Sequence, residues 1–166
     1  MNVLATAVLL ALGAVLQAAV PGMAWLGQVR LPVLLGLVVS YALTRPRPAA
    51  VAIAMTAGAV QDALGMIPLG YSSFCFCAVA VLVNRYREEV FAWEGVTHLV
   101  FGALAALAVA LAQYALLHAA GLLALSAGVV ARKAAGTLLL GALATPAAYA
   151  LVEHVDHLLG HGEARR

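Results

Sequence analysis

Charge is what this chain has least of. Only 10% of its 166 residues are Asp, Glu, Lys or Arg, against about 25% in ordinary soluble domains. No Lys or Arg precedes Arg30, and none lies between Arg47 and Arg85. Apolar residues take their place: 65% of the chain is hydrophobic and its mean hydropathy is +1.03. A soluble fold of this size leaves too much surface exposed to hide that surplus. The composition therefore excludes an ordinary soluble domain and predicts an integral membrane protein with lipid as part of its solvent. A net charge of +2, dispersed along the chain, excludes nucleic acid as a partner. The length allows one domain, 1–166, and no separate soluble module.

Further absences narrow the class. There are two cysteines, Cys75 and Cys77, and no CxxC. On a helix they point to different faces, so they read as small apolar side chains, not redox or metal ligands. The basic n-region of a signal peptide is missing, which predicts a retained first span closed by Pro21. No phosphate loop, HExxH or G-x-S-x-G occurs, and Ser72 and Ser73 have no histidine near them in sequence. These absences exclude the commonest catalytic classes, and no cofactor is expected. No block alternates with period two, which argues against a β-barrel.

What is there is a series of six apolar blocks cut by charges and prolines, about 2–20, 31–44, 49–64, 69–84, 97–118 and 132–153. They predict an all-α bundle of six transmembrane helices. The middle blocks are shorter than the roughly twenty residues a bilayer needs. They are expected to pack inside the bundle, where irregular backbone is covered by protein. Alanine pairs at four-residue spacing in the first block, Ala7 with Ala11 and Ala14 with Ala18, predict a packing face there. If the N-terminus is cytoplasmic, Arg45, Arg47, Arg85, Arg87, Arg165 and Arg166 lie inside, and Arg30, Arg132 and Lys133 outside. That bias places both termini in the cytoplasm. Arg132 and Lys133 dissent, next to lipid phosphates or an acidic partner. Trp25, Tyr41, Tyr71, Tyr86 and Trp93 fall at block ends, where headgroup-level aromatics settle. His98 and His118 bracket the fifth block as interfacial residues, and Gln113 is placed for an interhelical hydrogen bond.

One acid stands apart. Asp62 lies in QDALGMIPLG with no basic residue near it in sequence. Gly58 is on its helix face, Gly65 follows, and Pro68–Leu69–Gly70 ends the segment. Two readings are open. The carboxylate orders the turn into the fourth helix, whose N-terminus favours negative charge. Alternatively, it binds a substrate, ion or partner side chain, as acids in membrane spans often do.

The central third of the chain resembles the rod shape-determining protein MreD family. The resemblance covers roughly residues 31–87. Its pieces are the proline-opened LPVLLGLVVSYALTR with its arginine turn, a third span ending GAVQD, the loop LGMIPLG, and a fourth span closing in Asn84–Arg85–Tyr86–Arg87. It points to Gly58, Asp62, Pro68, Leu69 and Gly70; with Gly65 and the arginine pairs Arg45/Arg47 and Arg85/Arg87, these are the expected structural or partner-binding positions. It implies a non-enzymatic inner-membrane scaffold of the bacterial cell-elongation complex. The implied partners are an MreC-like bitopic protein and, through it, RodA with its penicillin-binding transpeptidase and the MreB filament. The implied fold is similar to the substrate-binding subunits of energy-coupling-factor vitamin transporters, and such a subunit is the alternative function. That alternative needs a pocket of convergent polar groups, for which Asp62, Gln61, Ser72, Ser73 and Arg30 are the candidates. An intramembrane enzyme is a third option, without a paired acid and base to carry it.

Two polar segments remain. In NRYREEVFAWE, 84–94, the spacing of Tyr86, Val90 and Trp93 predicts a short interfacial helix or a docking surface. In EHVDHLLGHGEARR, 153–166, His154, His157 and His161 share a helix face. They read as a solvated end, a metal site or a partner contact.

Overall fold

The computed structural model describes residues 3–20, 22, 29–65, 68–86, 95–121 and 127–158. These form six α-helices, and no strand occurs among the described residues. The helices are α1 (Val3–Ala19), α2 (Val33–Thr44), α3 (Arg47–Gly65), α4 (Tyr71–Tyr86), α5 (Gly95–Ala119) and α6 (Ala127–Leu158). Two segments are long and apolar enough to cross a membrane: Thr97–Ala119 in α5, at mean hydropathy 2.1, and Gly128–Val155 in α6, at 1.6. Leu4–Ala19 and Val33–Thr44 are apolar but shorter. Helix α6 begins about five residues before its expected start and runs through Pro146.

The shortest helix is the centre of the fold. Every residue of α2 from 34 to 43 is buried, so no face of it meets the surroundings. A helix that is apolar all round is stable only in such a position. It packs against α1, α3, α4, α5 and α6, which explains why the second block has no amphipathic stripe. The expected packing of the middle blocks holds fully for α2. Helices α3 and α4 bury one face each, Ala50, Ile53, Ala54 and Ala57 on the first and Cys75, Phe76, Val79 and Ala80 on the second.

Small residues set the helix spacings. A Cβ on Gly36 would stand 3.0 Å from the Ala144 carbonyl oxygen, so α2 and α6 are in backbone contact there. A Cβ on Gly102 would stand 2.7 Å from the Gly141 carbonyl oxygen and would meet the Thr145 side chain. Gly102 and Ala106 of α5 thus cross Gly141 and Thr145 of α6, two small-residue pairs at four-residue spacing. In α1 the expected packing face fails for Ala7, Ala11 and Ala18, which are exposed, and only Ala14 of the four packs against the core. Its buried face is Thr6, Leu9, Leu10, Gly13 and Gln17, because the amide and hydroxyl find protein partners there and alanine has none to seek.

Two side chains expected at headgroup level or at the interface are instead buried in protein. Tyr41 is 3% exposed and belongs to the core. His98 is 1% exposed, its ring centroid 3.9 Å from that of Tyr149. His118 does lie at the exposed end of α5, stacked on Tyr114. Trp25 and Trp93 lie outside the described residues, as does the segment 87–94 expected as an interfacial helix.

At the arginine end of the bundle, the Asn84 side-chain nitrogen donates to the Ala42 carbonyl oxygen at 2.7 Å and to that of Arg45 at 2.9 Å. One amide of α4 therefore satisfies carbonyls that α2 leaves open at its C-terminus. Asn84→Ala removes both bonds at once. We expect it to destabilise the fold by about 1–2 kcal/mol, about 1 kcal/mol for each partly buried bond, measured by unfolding in mild detergent. An unchanged midpoint would show the cap to be energetically idle.

Candidate functional site

Asp62 lies in the last turn of α3 and is 0% exposed. Its Oδ2 accepts the Gly70 N–H at 2.8 Å and its Oδ1 accepts the Ser72 N–H at 2.9 Å. These amides open α4, whose first N–H groups have no partner within the helix. Asp62 therefore caps α4 from the preceding helix, and the macrodipole of α4 favours its charge. Of the two readings left open by the sequence, the ordering of the turn is the one this geometry shows.

The local chain is built for that contact. Gly58 stands one turn before Asp62, and a Cβ there would lie 2.5 Å from the Ser73 nitrogen and 2.9 Å from the Ser72 carbonyl carbon. No side chain fits between the two backbones, so α3 and α4 approach closely enough for a short carboxylate to bridge them. Gly65 ends α3. Gly70 has φ +109°, a conformation that glycine adopts without steric cost. Pro68 and Leu69 form the exposed tip, Leu69 at 77% exposure. Gly58, Asp62, Gly65, Pro68, Leu69 and Gly70 thus gather at the junction of α3 and α4.

The arginines do not join it. Arg45 follows the C-terminus of α2, Arg47 opens α3 and Arg85 ends α4, all at the opposite end of the bundle. Fifteen residues of α3 separate Arg47 from Asp62, about 22 Å at 1.5 Å per residue. Arg87 lies outside the described residues.

Beside the Asp62 turn is a set of amides, of which the sequence singles out Gln61 and Gln113 but not Gln17. The Gln113 side-chain nitrogen donates to the Ser72 hydroxyl at 2.8 Å, tying α5 to the first turn of α4. The Gln17 amide donates to the Gln61 side-chain oxygen, and its own oxygen accepts the Leu34 N–H at 3.3 Å. Gln17 is only 4% exposed. The available signal was positional: Gln17, Gln61 and Gln113 each sit near the end of an apolar block, and alternating helix directions bring those ends together.

These three glutamines line one cavity of about 190 Å³, with Arg30 and Thr137 as its other polar groups and Leu35, Phe76 and Val109 as apolar walls. A second cavity of about 240 Å³ between α5 and α6 shares Val29, Ala110, Gln113 and Thr137 with it, so the two form one cleft. Leu111, Tyr114 and Leu117 line the outer part, with Lys133 beside them. No family model matches this chain, and no curated protein or solved structure is significantly similar to it. The chemistry of the site must be read from its own groups.

Those groups are hydrogen-bonding amides, hydroxyls and cations. No three His, Cys, Asp or Glu side chains converge to hold a metal among the described residues. His154 is exposed and His161 lies outside the described residues, so the C-terminal histidine trio is not assembled within them. Cys75 is buried and Cys77 half-buried, both as free thiols, and the Cys77 Sγ lies 3.8 Å from the Val51 carbonyl oxygen. Asp62 is committed to backbone amides, and the cleft presents amides, a hydroxyl and two cations.

Proposed function

We propose that this chain is a non-enzymatic, six-span membrane scaffold of the MreD type, with both termini cytoplasmic. It would hold an MreC-like bitopic protein and through it connect RodA, its penicillin-binding transpeptidase and the MreB filament in bacterial cell elongation. The observation that carries this reading is the 58–72 unit. Within the central resemblance, the junction of α3 and α4 is tied by a carboxylate that caps a helix, with apolar Leu69 exposed beside it. Such a turn suits a docking point better than a reaction centre.

The membrane placement draws on the outward faces. Leu4, Val8, Val15, Phe74, Leu104 and Leu143 are each at least half exposed, which is unfavourable in water over so many positions and favourable in lipid. All six helices alternate in direction, so the 58–72 turn, Arg30 and the first turns of α6 share the extracytoplasmic end. The short α2 is surrounded by protein and need not match the bilayer thickness by itself.

Co-expression with an MreC-like single-span protein, followed by gentle detergent extraction, tests the proposal. The pair is expected to co-purify. Leu69→Asp should lower recovery of the partner about tenfold, as loss of an apolar anchor at the centre of a contact does, without moving the unfolding midpoint. If no single-span partner is recovered, or if Leu69→Asp leaves recovery intact, the docking role of this turn fails. The alternative, a vitamin-transporter binding subunit, is supported by the cleft alone, and a soluble vitamin raising the unfolding temperature of the purified protein would favour it.

A further inference from the structure

The cleft beside the Asp62 turn has an occupant chemistry written into its walls. Its inner part is amide-rich and its outer part apolar, and a cation stands in each: Arg30 within reach of the glutamines, Lys133 beside Leu111 and Leu117. No acid lines either part. Gln17 is almost wholly buried there, and its bonds to Gln61 and Leu34, with that of Gln113 to Ser72, leave each amide further donor or acceptor capacity toward the cavity. About 190 Å³ is the space of roughly six waters, and it also admits a headgroup.

We propose that this cleft binds an anionic phospholipid, its phosphate between Arg30 and Lys133, its headgroup hydroxyls on Gln17, Gln61 and Gln113, and the start of one acyl chain along the α5–α6 groove. The depth fits. Lys133 is five residues inside the Gly128–Val155 segment, about 7.5 Å along the helix, at headgroup level for a span that begins there. Leu111, which lines the same part of the cleft, is 46% exposed, so an apolar wall of the outer part reaches the surface of the bundle. The site also accounts for Arg30 and Lys133, two of the three cations that run against the inside bias. The third, Arg132, is exposed and lines neither part of the cleft. The inference rests on the membrane placement proposed above but not on the scaffold role.

The full chain is reconstituted in nanodiscs of equal phosphatidylcholine and phosphatidylglycerol, released into detergent, and its retained lipid measured by native mass spectrometry. Wild type is expected to retain phosphatidylglycerol preferentially, one molecule per chain. R30Q/K133Q should lose that preference about 30-fold, the combined effect of two cations at a membrane surface. Arg132→Gln, which removes a neighbouring cation that lines neither part of the cleft, should keep it. Both substitutions sit at exposed positions, and the unfolding midpoint of each variant reports whether the fold is intact. Glycerol phosphate, added to lipid-free protein in detergent, should not shift that midpoint. Equal retention by R30Q/K133Q, or equal loss in Arg132→Gln, would overturn the site. A midpoint shift with glycerol phosphate would replace the lipid by a soluble anion. Recovery of the chain without detergent would remove the membrane placement itself, and a failed partner co-purification would leave this result untouched.

Discussion

Asp62→Ala is expected to lower stability by about 2–4 kcal/mol, counting the orphaned Ser72 N–H at the cost of a buried unsatisfied donor and the lost charge-assisted bonds. The two amides are not equivalent. Gly70 is exposed, so water replaces its lost acceptor, whereas Ser72 is buried and no water reaches it. Asp62→Asn keeps one carbonyl oxygen, which will turn to Ser72 and leave an amine facing Gly70, so its loss should be about half as large. The measurement uses the native thiols. Cys75 is 3% exposed in α4, and a maleimide dye reaches it only when the helix opens. In a Cys77→Ala background the melting midpoint should fall by roughly 10 °C in Asp62→Ala. If instead both Asp62 variants melt like wild type but lose a partner or ligand, the carboxylate is a recognition group and its capping geometry is incidental.

Much of this unit was legible because its signals are local. A lone acid, two glycines and a Pro–Leu–Gly run within thirteen residues can only make a turn, and Gly58 and Asp62 share a face by helical period alone. The number of helices was legible from hydropathy, since charges and prolines fall between apolar blocks. What was not legible depends on the third dimension. The alanine spacing of α1 suggested the wrong face, because in a chain this rich in alanine the pattern recurs on every side. Tyr41 and His98 were assigned to the interface by their place in the sequence. Both are covered by neighbouring helices, however, and α2 is enclosed along its length. The cleft is only partly legible for a related reason: Gln61, Gln113 and Arg30 stand out singly, but Gln17 does not, and all are far apart in sequence. Only the alternation of helix directions, together with close packing around α2, brings three amides and two cations to one end.

Gly58→Ala is expected to cost about 3 kcal/mol, at the upper end of what one inserted methyl group does to a packed contact. The reason is what the methyl meets. A Cβ at this position faces the backbone of Ser72 and Ser73, and backbone cannot rotate away as a side chain can. The helices must separate, and separation carries the Ser72 N–H away from a carboxylate that reaches it at 2.9 Å. Part of the cost of Gly58→Ala is therefore the same loss that Asp62→Ala causes. Combined, the two should fall short of additivity by about 1–2 kcal/mol, the size of coupling seen between groups that share a contact. Gly102→Ala provides the comparison. Its methyl would press on Thr145 and on the Gly141 carbonyl oxygen at 2.7 Å, in a different helix pair that touches neither Asp62 nor α4's first turn. It should be destabilising by a similar amount and strictly additive with Asp62→Ala. Thermal melts of the four proteins in each cycle decide the matter: additivity in the Gly58 cycle would mean that the glycine sets helix spacing for packing alone, and that the acid finds its amides without it.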